Sequence, residues 1–205
     1  MKVILLNGSP HAEGNTYIAL HEVEKELQKQ GIETELIQVG NQNVRGCMAC
    51  GYCGTHDGCV FQDVVNEIAA KLEAADGLVV GAPVHYASAS AATIAVLDRL
   101  FYSMKFDPTM KVGASVAVAR RGGTTATFDE LNKYFTISNM PVVPSQYWNI
   151  VHGRAPGDAE QDAEGLQTMR TLARNMAFLM KSIAIGKEQF GLPEKEDRVW
   201  THFIR

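Results

Sequence analysis

Val3-Ile4-Leu5-Leu6-Asn7-Gly8-Ser9-Pro10-His11-Ala12-Glu13-Gly14-Asn15-Thr16 is the stretch that decides the fold. Its first four residues are apolar without a break, the pattern of a strand buried on both faces in a parallel sheet. Gly8-Ser9-Pro10 then imposes a turn. From Asn15 to about Gln30 the residues Ile18, Leu20, Val23 and Leu27 recur at near-helical spacing, and Gly31 supplies a stop.

The same alternation of strand and helix runs on from there. Thr34 to Val39 reads as a second strand, Val64 to Leu72 as a helix, and Leu78 to Ala82 as a third strand stopped by Pro83. Ala89 to Phe101 reads as a helix and Val112 to Ala119 as another buried strand. Phe128 to Phe135 and Gln161 to Ile185 supply the last helices. Between them Val142-Val143 and Tyr147 to Ile150 suggest an interrupted fifth strand, followed by a surface loop from Gly153 to Gly157. Such alternation implies an α/β fold with helices on both faces of a parallel sheet, and ligands in such sheets sit beyond the carboxyl ends of the strands.

Length and composition fit one soluble globular unit. The chain has 205 residues, 46% apolar and 20% charged, enough to close one sizeable core over residues 1–205, with a cysteine-rich loop at 46–59 and a C-terminal tail at 187–205. A net charge of -4 gives no basic stripe for nucleic acid and no polybasic anchor for a membrane. The stretch from Met1 to Pro10 carries only Lys2 and one short apolar run, too brief for a signal peptide or a spanning helix, so a cytoplasmic protein is expected.

Chemistry is expected directly after the strands. Asn7 to Thr16 leads straight into a helix N-terminus, where unpaired amides and the helix dipole favour an anion and Ser9, Asn15 and Thr16 add donors. A phosphate monoester fits there. A plain capped turn reads equally well from this loop alone. Neither Gly-x-Gly-x-x-Gly nor Gly-x-x-x-x-Gly-Lys-Ser/Thr occurs, which argues against a dinucleotide pyrophosphate or a nucleoside triphosphate. After the third and fourth strands, Pro83 to Ser88 offers amides, an imidazole and a phenol at the edge of a flat ring. Gly122-Gly123 permits close backbone approach beside Arg120 and Arg121.

Asn7-Gly8-Ser9-Pro10 with Gly14-Asn15-Thr16, Ala82 to Tyr86 followed by Leu97-Asp98-Arg99, Arg120 to Gly123 and the closing Phe203-Ile204-Arg205 carry a combined pattern. It resembles the flavodoxin-like NAD(P)H-dependent FMN reductases, and more narrowly the branch that includes the iron-sulfur flavoproteins. The resemblance runs from end to end and implies a flavodoxin-like three-layer sandwich with a five-stranded parallel sheet. It implies FMN with its phosphate at Ser9, His11, Gly14, Asn15 and Thr16. The isoalloxazine would lie against Pro83, Val84, His85, Tyr86, Ser88, Arg120, Arg121, Gly122 and Gly123. It further implies NAD(P)H as donor and a homodimer or homotetramer with the flavin near a subunit interface. The sequence departs from the family pattern at His85, commonly tyrosine, and at His11, often a basic residue.

All four cysteines fall in one loop, as Cys47-x2-Cys50-x2-Cys53-x5-Cys59, among Gly46, Gly51, Gly54 and Gly58. The local grouping is that of a metal or redox site rather than of a disulfide framework. Glycines let the backbone fold thiolates inward around an inorganic core, so a 4Fe-4S cluster is one reading; free thiols and a zinc site are the others. His56 and Asp57 read as solvated. The function expected is an FMN-dependent NAD(P)H oxidoreductase reducing a quinone, nitroaromatic, flavin or iron carrier, with Arg120 or Arg121 near the pyrimidine edge of the ring. The rivals are a one-electron carrier holding FMN and a 4Fe-4S cluster, served by a ferredoxin-like partner, and a thiol-based redox sensor.

Overall fold

The computed structural model describes residues 1–204; Arg205, the last residue of the closing motif, lies outside the described residues. In chain order the elements are β1 (Lys2–Asn7), α1 (Asn15–Lys29), β2 (Glu33–Gln38), a single turn α2 (Tyr52–Thr55), α3 (Val64–Glu73), β3 (Gly77–His85) and β4 (Ser88–Ala89). Then follow α4 (Ala91–Ser103), β5 (Val112–Ala119), α5 (Thr124–Ile137), β6 (Ile150–His152), a 3-10 turn (Asp158–Gln161) and α6 (Ala163–Phe190).

Five strands pair in the order β2-β1-β3-β5-β6, all parallel, and β4 adds a two-residue antiparallel ribbon to the end of β3. The reversal of order at β1 puts the carboxyl ends of β1, β3 and β5 side by side. The unbroken apolar runs follow from burial on both faces. Val3 and Leu5 pack with α1 and α6 in one core, and Ile4 and Leu6 pack with α3, α4 and α5 in the other. This is the flavodoxin-like three-layer arrangement.

The structure departs from expectation in four places. Pro83 does not stop β3, which runs on to His85 with Pro83 opposite Val118. The ladder to β1 ends where Gly8 N donates to Gly81 O, at 2.8 Å, so no partner awaits the amide that Pro83 lacks. α5 begins at Thr124, four residues before Phe128, directly after Gly123, whose left-handed conformation (φ 90°) turns the chain from the end of β5 into the helix. The last strand is a lone bridge of Gly113 with Val142 and then Ile150–His152, with Tyr147 and Trp148 exposed between the two. α6 continues to Phe190, and the tail beyond it carries Val199, Trp200, Phe203 and Ile204 exposed.

Candidate functional site

Three loops meet along the carboxyl edge of the sheet. The first, from Gly8 to Gly14, is shaped by side chains on three neighbouring elements. Asn7 Nδ2 donates to Ala12 O and to Gln38 Oε1, Gln38 Nε2 donates to Ser9 O, and Ser90 Oγ donates to Gly8 O at 2.7 Å. Ser9 is buried, its Oγ accepting from His11 N at 3.1 Å. Gly14 caps α1 without any side-chain bond, and the first intrahelical bond is Ile18 N to Gly14 O. The amides of Asn15, Thr16 and Tyr17 are therefore left directed out of the helix end, the arrangement that suits a phosphate.

The expected donors are not all turned to that end. Asn15 spends its side chain on the loop after β6, donating to Ala155 O at 2.9 Å and accepting from Ala159 N at 3.1 Å. Its backbone amide is what remains for an anion. Thr16 is buried in the first turn, and His11 is exposed on the loop.

The second and third loops touch each other. Val84 pairs with Ala89 and His85 with Ser88, so β3 and β4 form a hairpin tipped by Tyr86 and Ala87. Tyr86 is fully exposed in a left-handed conformation (φ 58°), which costs a non-glycine residue about 1–2 kcal/mol. Glu130 on α5 steadies the hairpin by accepting from Ala89 N at 3.2 Å. A side chain at Gly123 would come within 2.7 Å of Val84 Cγ1, so only glycine lets the Arg120 to Gly123 loop close against the hairpin. Arg120 and Arg121 are exposed at the end of β5. Pro83 and Val84 are half-buried, while His85, Tyr86 and Gly122 are open to solvent. A planar ring with a phosphate tail thus finds an amide cradle and two walls of loop backbone. Gln38, Ser90 and Glu130, which shape these loops, were not expected from the sequence.

The cysteine loop lies against the second half of α4. A cavity of about 400 Å³ is lined by Cys47, Cys50, Cys53 and Cys59 together with Arg99 and Ser103, with apolar walls from Met48, Val60 and Phe61. No disulfide links the cysteines, and Ala49 N donates to Cys47 Sγ at 3.5 Å. Among the described residues, no three histidine, cysteine, aspartate or glutamate side chains draw together as a single-ion site. Four thiols around one cavity are the donor set of a cysteine-ligated metal or cluster.

The remaining lining fits an anionic inorganic core. Arg99, 1% exposed, donates from Nε to Cys59 Sγ at 3.3 Å and grips the Asp63 carboxylate with both terminal nitrogens at 2.7 and 2.9 Å. Burial works against its charge, and the bonds to Asp63 and Cys59 outweigh burial, holding the guanidinium above its ordinary range. Ser103 Oγ is buried with no partner among the described residues, one helical turn beyond Arg99 on the same face. Lys105 donates to Cys53 O.

Comparison with known proteins shows the family and the fold. Residues 1–155 match the family model described as NADPH-dependent FMN reductase. An iron-sulfur flavoprotein of Methanocaldococcus jannaschii is 36% identical over 191 residues, covering 89% of this chain and 99% of that protein. An iron-sulfur flavoprotein of Methanosarcina thermophila is 31% identical, covering 92% and 100%. In fold the chain is similar to a solved flavodoxin from the domain Archaea, with a TM-score of 0.61 at 15% identity over 88% of this chain and 99% of that one.

Proposed function

The chain belongs to the NADPH-dependent FMN reductase family, and from that premise we propose that it works as a cytoplasmic homo-oligomer that binds FMN across the ends of β1, β3 and β5. It is an FMN-dependent NAD(P)H oxidoreductase. The observation that carries the site assignment is the meeting of three loops on adjacent strand ends, with Gly123 against Val84 and Ser90 bonded to Gly8.

FMN, when bound, supplies the redox chemistry, taking hydride from a nicotinamide and handing electrons to an acceptor. The chain's own residues bind and orient. The outward amides of Asn15, Thr16 and Tyr17 and the loop around Ser9 hold the phosphate, and Pro83 to Ser88 and Gly122-Gly123 fix the plane of the ring. Arg120 or Arg121 would offer positive charge to the pyrimidine edge of a bound ring, which would favour its anionic reduced state. The hairpin tip at Tyr86 is open to solvent, which would leave room beside a bound ring for a nicotinamide and then a quinone or other small acceptor. Arg120→Ala and Arg121→Ala should each weaken FMN binding or slow its reduction; unchanged values in both would remove the arginines from the site.

A second reading is favoured by the cysteine cavity. Both relatives above carry the name iron-sulfur flavoprotein, and four thiols around a cavity of this size fit a 4Fe-4S cluster. On that reading the protein also exchanges single electrons with a ferredoxin-like carrier. No helix among the described residues is long and apolar enough to cross a membrane.

The deciding experiment is purification without oxygen, with FMN, iron, acid-labile sulfide and zinc counted per chain, followed by NAD(P)H oxidation with a quinone. One FMN with rapid turnover supports the reductase, and about four iron and four sulfide beside it add the cluster. No bound FMN would overturn the site.

A further inference from the structure

We infer that Arg99 is the positioning residue of the cysteine loop: it fixes Cys59 as a preset corner of the cluster site and bonds its sulfur directly. This rests on the reading of the four cysteines as cluster ligands.

The contacts of Arg99 reach both ends of the loop. Nη1 donates to Arg45 O at 3.4 Å, two residues before Cys47, and Nη2 donates to Phe61 O at 3.3 Å, two residues after Cys59. The Asp63 carboxylate that it grips also caps α3, accepting from Val65 N at 3.1 Å, so the guanidinium is tied to a helix end. Phe61 lies between two cations, with Arg45 4.9 Å and Arg99 5.1 Å from its ring centroid. Asn66 completes the anchorage of Cys59, its Oδ1 accepting from Cys59 N at 2.8 Å and its Nδ2 donating to Cys59 O at 3.0 Å.

Cys59 is therefore held at its amide, its carbonyl and its sulfur. Cys47 and Cys50, by contrast, are exposed, and the one sulfur contact on their side is the local Ala49 amide. Cys59 is thus the one ligand position that the protein presets, in a loop held at both ends by Arg99, while Cys47 and Cys50 have no comparable anchorage. A planar five-donor fork makes this set of bonds and an ammonium does not. An N–H donated to a ligand sulfur also favours the more negative, reduced state of a cluster, which raises its potential.

The test uses the full-length protein, wild type beside Arg99→Lys and Asp63→Asn, purified and reconstituted without oxygen. Lysine keeps the charge and gives up the fork; asparagine keeps a good helix cap and loosens the grip on Arg99. The readouts are the midpoint of the cluster by EPR-monitored titration, the rate of iron loss to a chelator, FMN per chain and melting temperature.

Arg99→Lys is expected to shed iron at least roughly tenfold faster. Its reduction equilibrium should fall about tenfold, about 59 mV for one electron, with FMN content unchanged. Asp63→Asn should move both readouts in the same direction by less. Wild-type iron retention and potential in both variants would overturn the inference. So would joint loss of FMN, iron and melting temperature, which marks a merely structural role. A wild-type protein without iron would instead overturn the cluster reading on which the inference stands.

Discussion

The two glycine-rich segments of this chain solve opposite problems. Around the first strand end, a side chain at Gly40 would lie 2.2 Å from Ser9 O and 2.3 Å from Gly8 O, and Asn7, Gln38 and Ser90 fasten the loop from three sides. In the cysteine loop, a side chain at Gly46, Gly51 or Gly54 would meet nothing within 4 Å. The first segment is a cradle built wholly from protein. The second is fastened mainly at its ends, through Arg99 and Asn66, and its middle stands open, where on the cluster reading an inorganic group would organise it.

The contrast breaks most visibly at Gly40. Gly40→Ala drives a methyl into backbone carbonyls and should cost about 3 kcal/mol in urea unfolding, with FMN lost from the purified protein and the cysteine loop still able to take up iron. Retention of FMN at wild-type affinity would mean that the cradle yields easily.

A smaller effect is expected from loosening the helix behind the cradle. Glu26, buried near the far end of α1, accepts from Arg174 of α6 at 2.7 Å and from Lys29 at 3.1 Å. Arg174 first, and Lys29 after it, hold its carboxyl below the usual glutamate value of 4.5. A depressed folded value means that this stabilisation is complete above 4.5 and is lost as pH falls through the folded value. Glu26→Gln should therefore cost about 1–2 kcal/mol near neutrality, and the gap from wild type should close in acid. A gap that is constant with pH would show that the charge is not what matters.

At the tip of the hairpin the sign reverses. Tyr86→Gly relieves a left-handed tyrosine and should stabilise the FMN-free protein by about 1 kcal/mol in urea unfolding. Smallest of all, Gly54→Ala should change stability by less than about 0.5 kcal/mol and leave iron content alone. A large loss there would show that the middle of the cysteine loop is packed more tightly than its open surroundings indicate.

What was legible in the sequence follows the same division. Val3 to Leu6 and Val112 to Ala119 are apolar on both faces, so they announce themselves as interior strands whatever surrounds them. Pro83 misleads, because whether a strand tolerates proline depends on where its neighbour ends, and that neighbour is β1, more than seventy residues earlier. Thr124, Thr125 and Thr127 hide the start of α5 behind residues of poor helix propensity. The three loops were found because each directly follows a strand. Arg99 was visible only as part of a family pattern. Its partners Arg45, Cys59, Phe61 and Asp63 stand 54, 40, 38 and 36 residues away, and only the packing of α4 against α3 brings them to it.

Asn15 links the phosphate end of α1 to the segment between β6 and α6. Its side chain holds Ala155 and Ala159 while its amide is left for the proposed phosphate, so ordering either partner would lower the entropy still to be lost by the other. Free energy shared in this way is reciprocal. A flavin that settled the first turn of α1 would tighten a surface loop more than a hundred residues further along the chain, and anything that gripped that loop would tighten the flavin by the same factor.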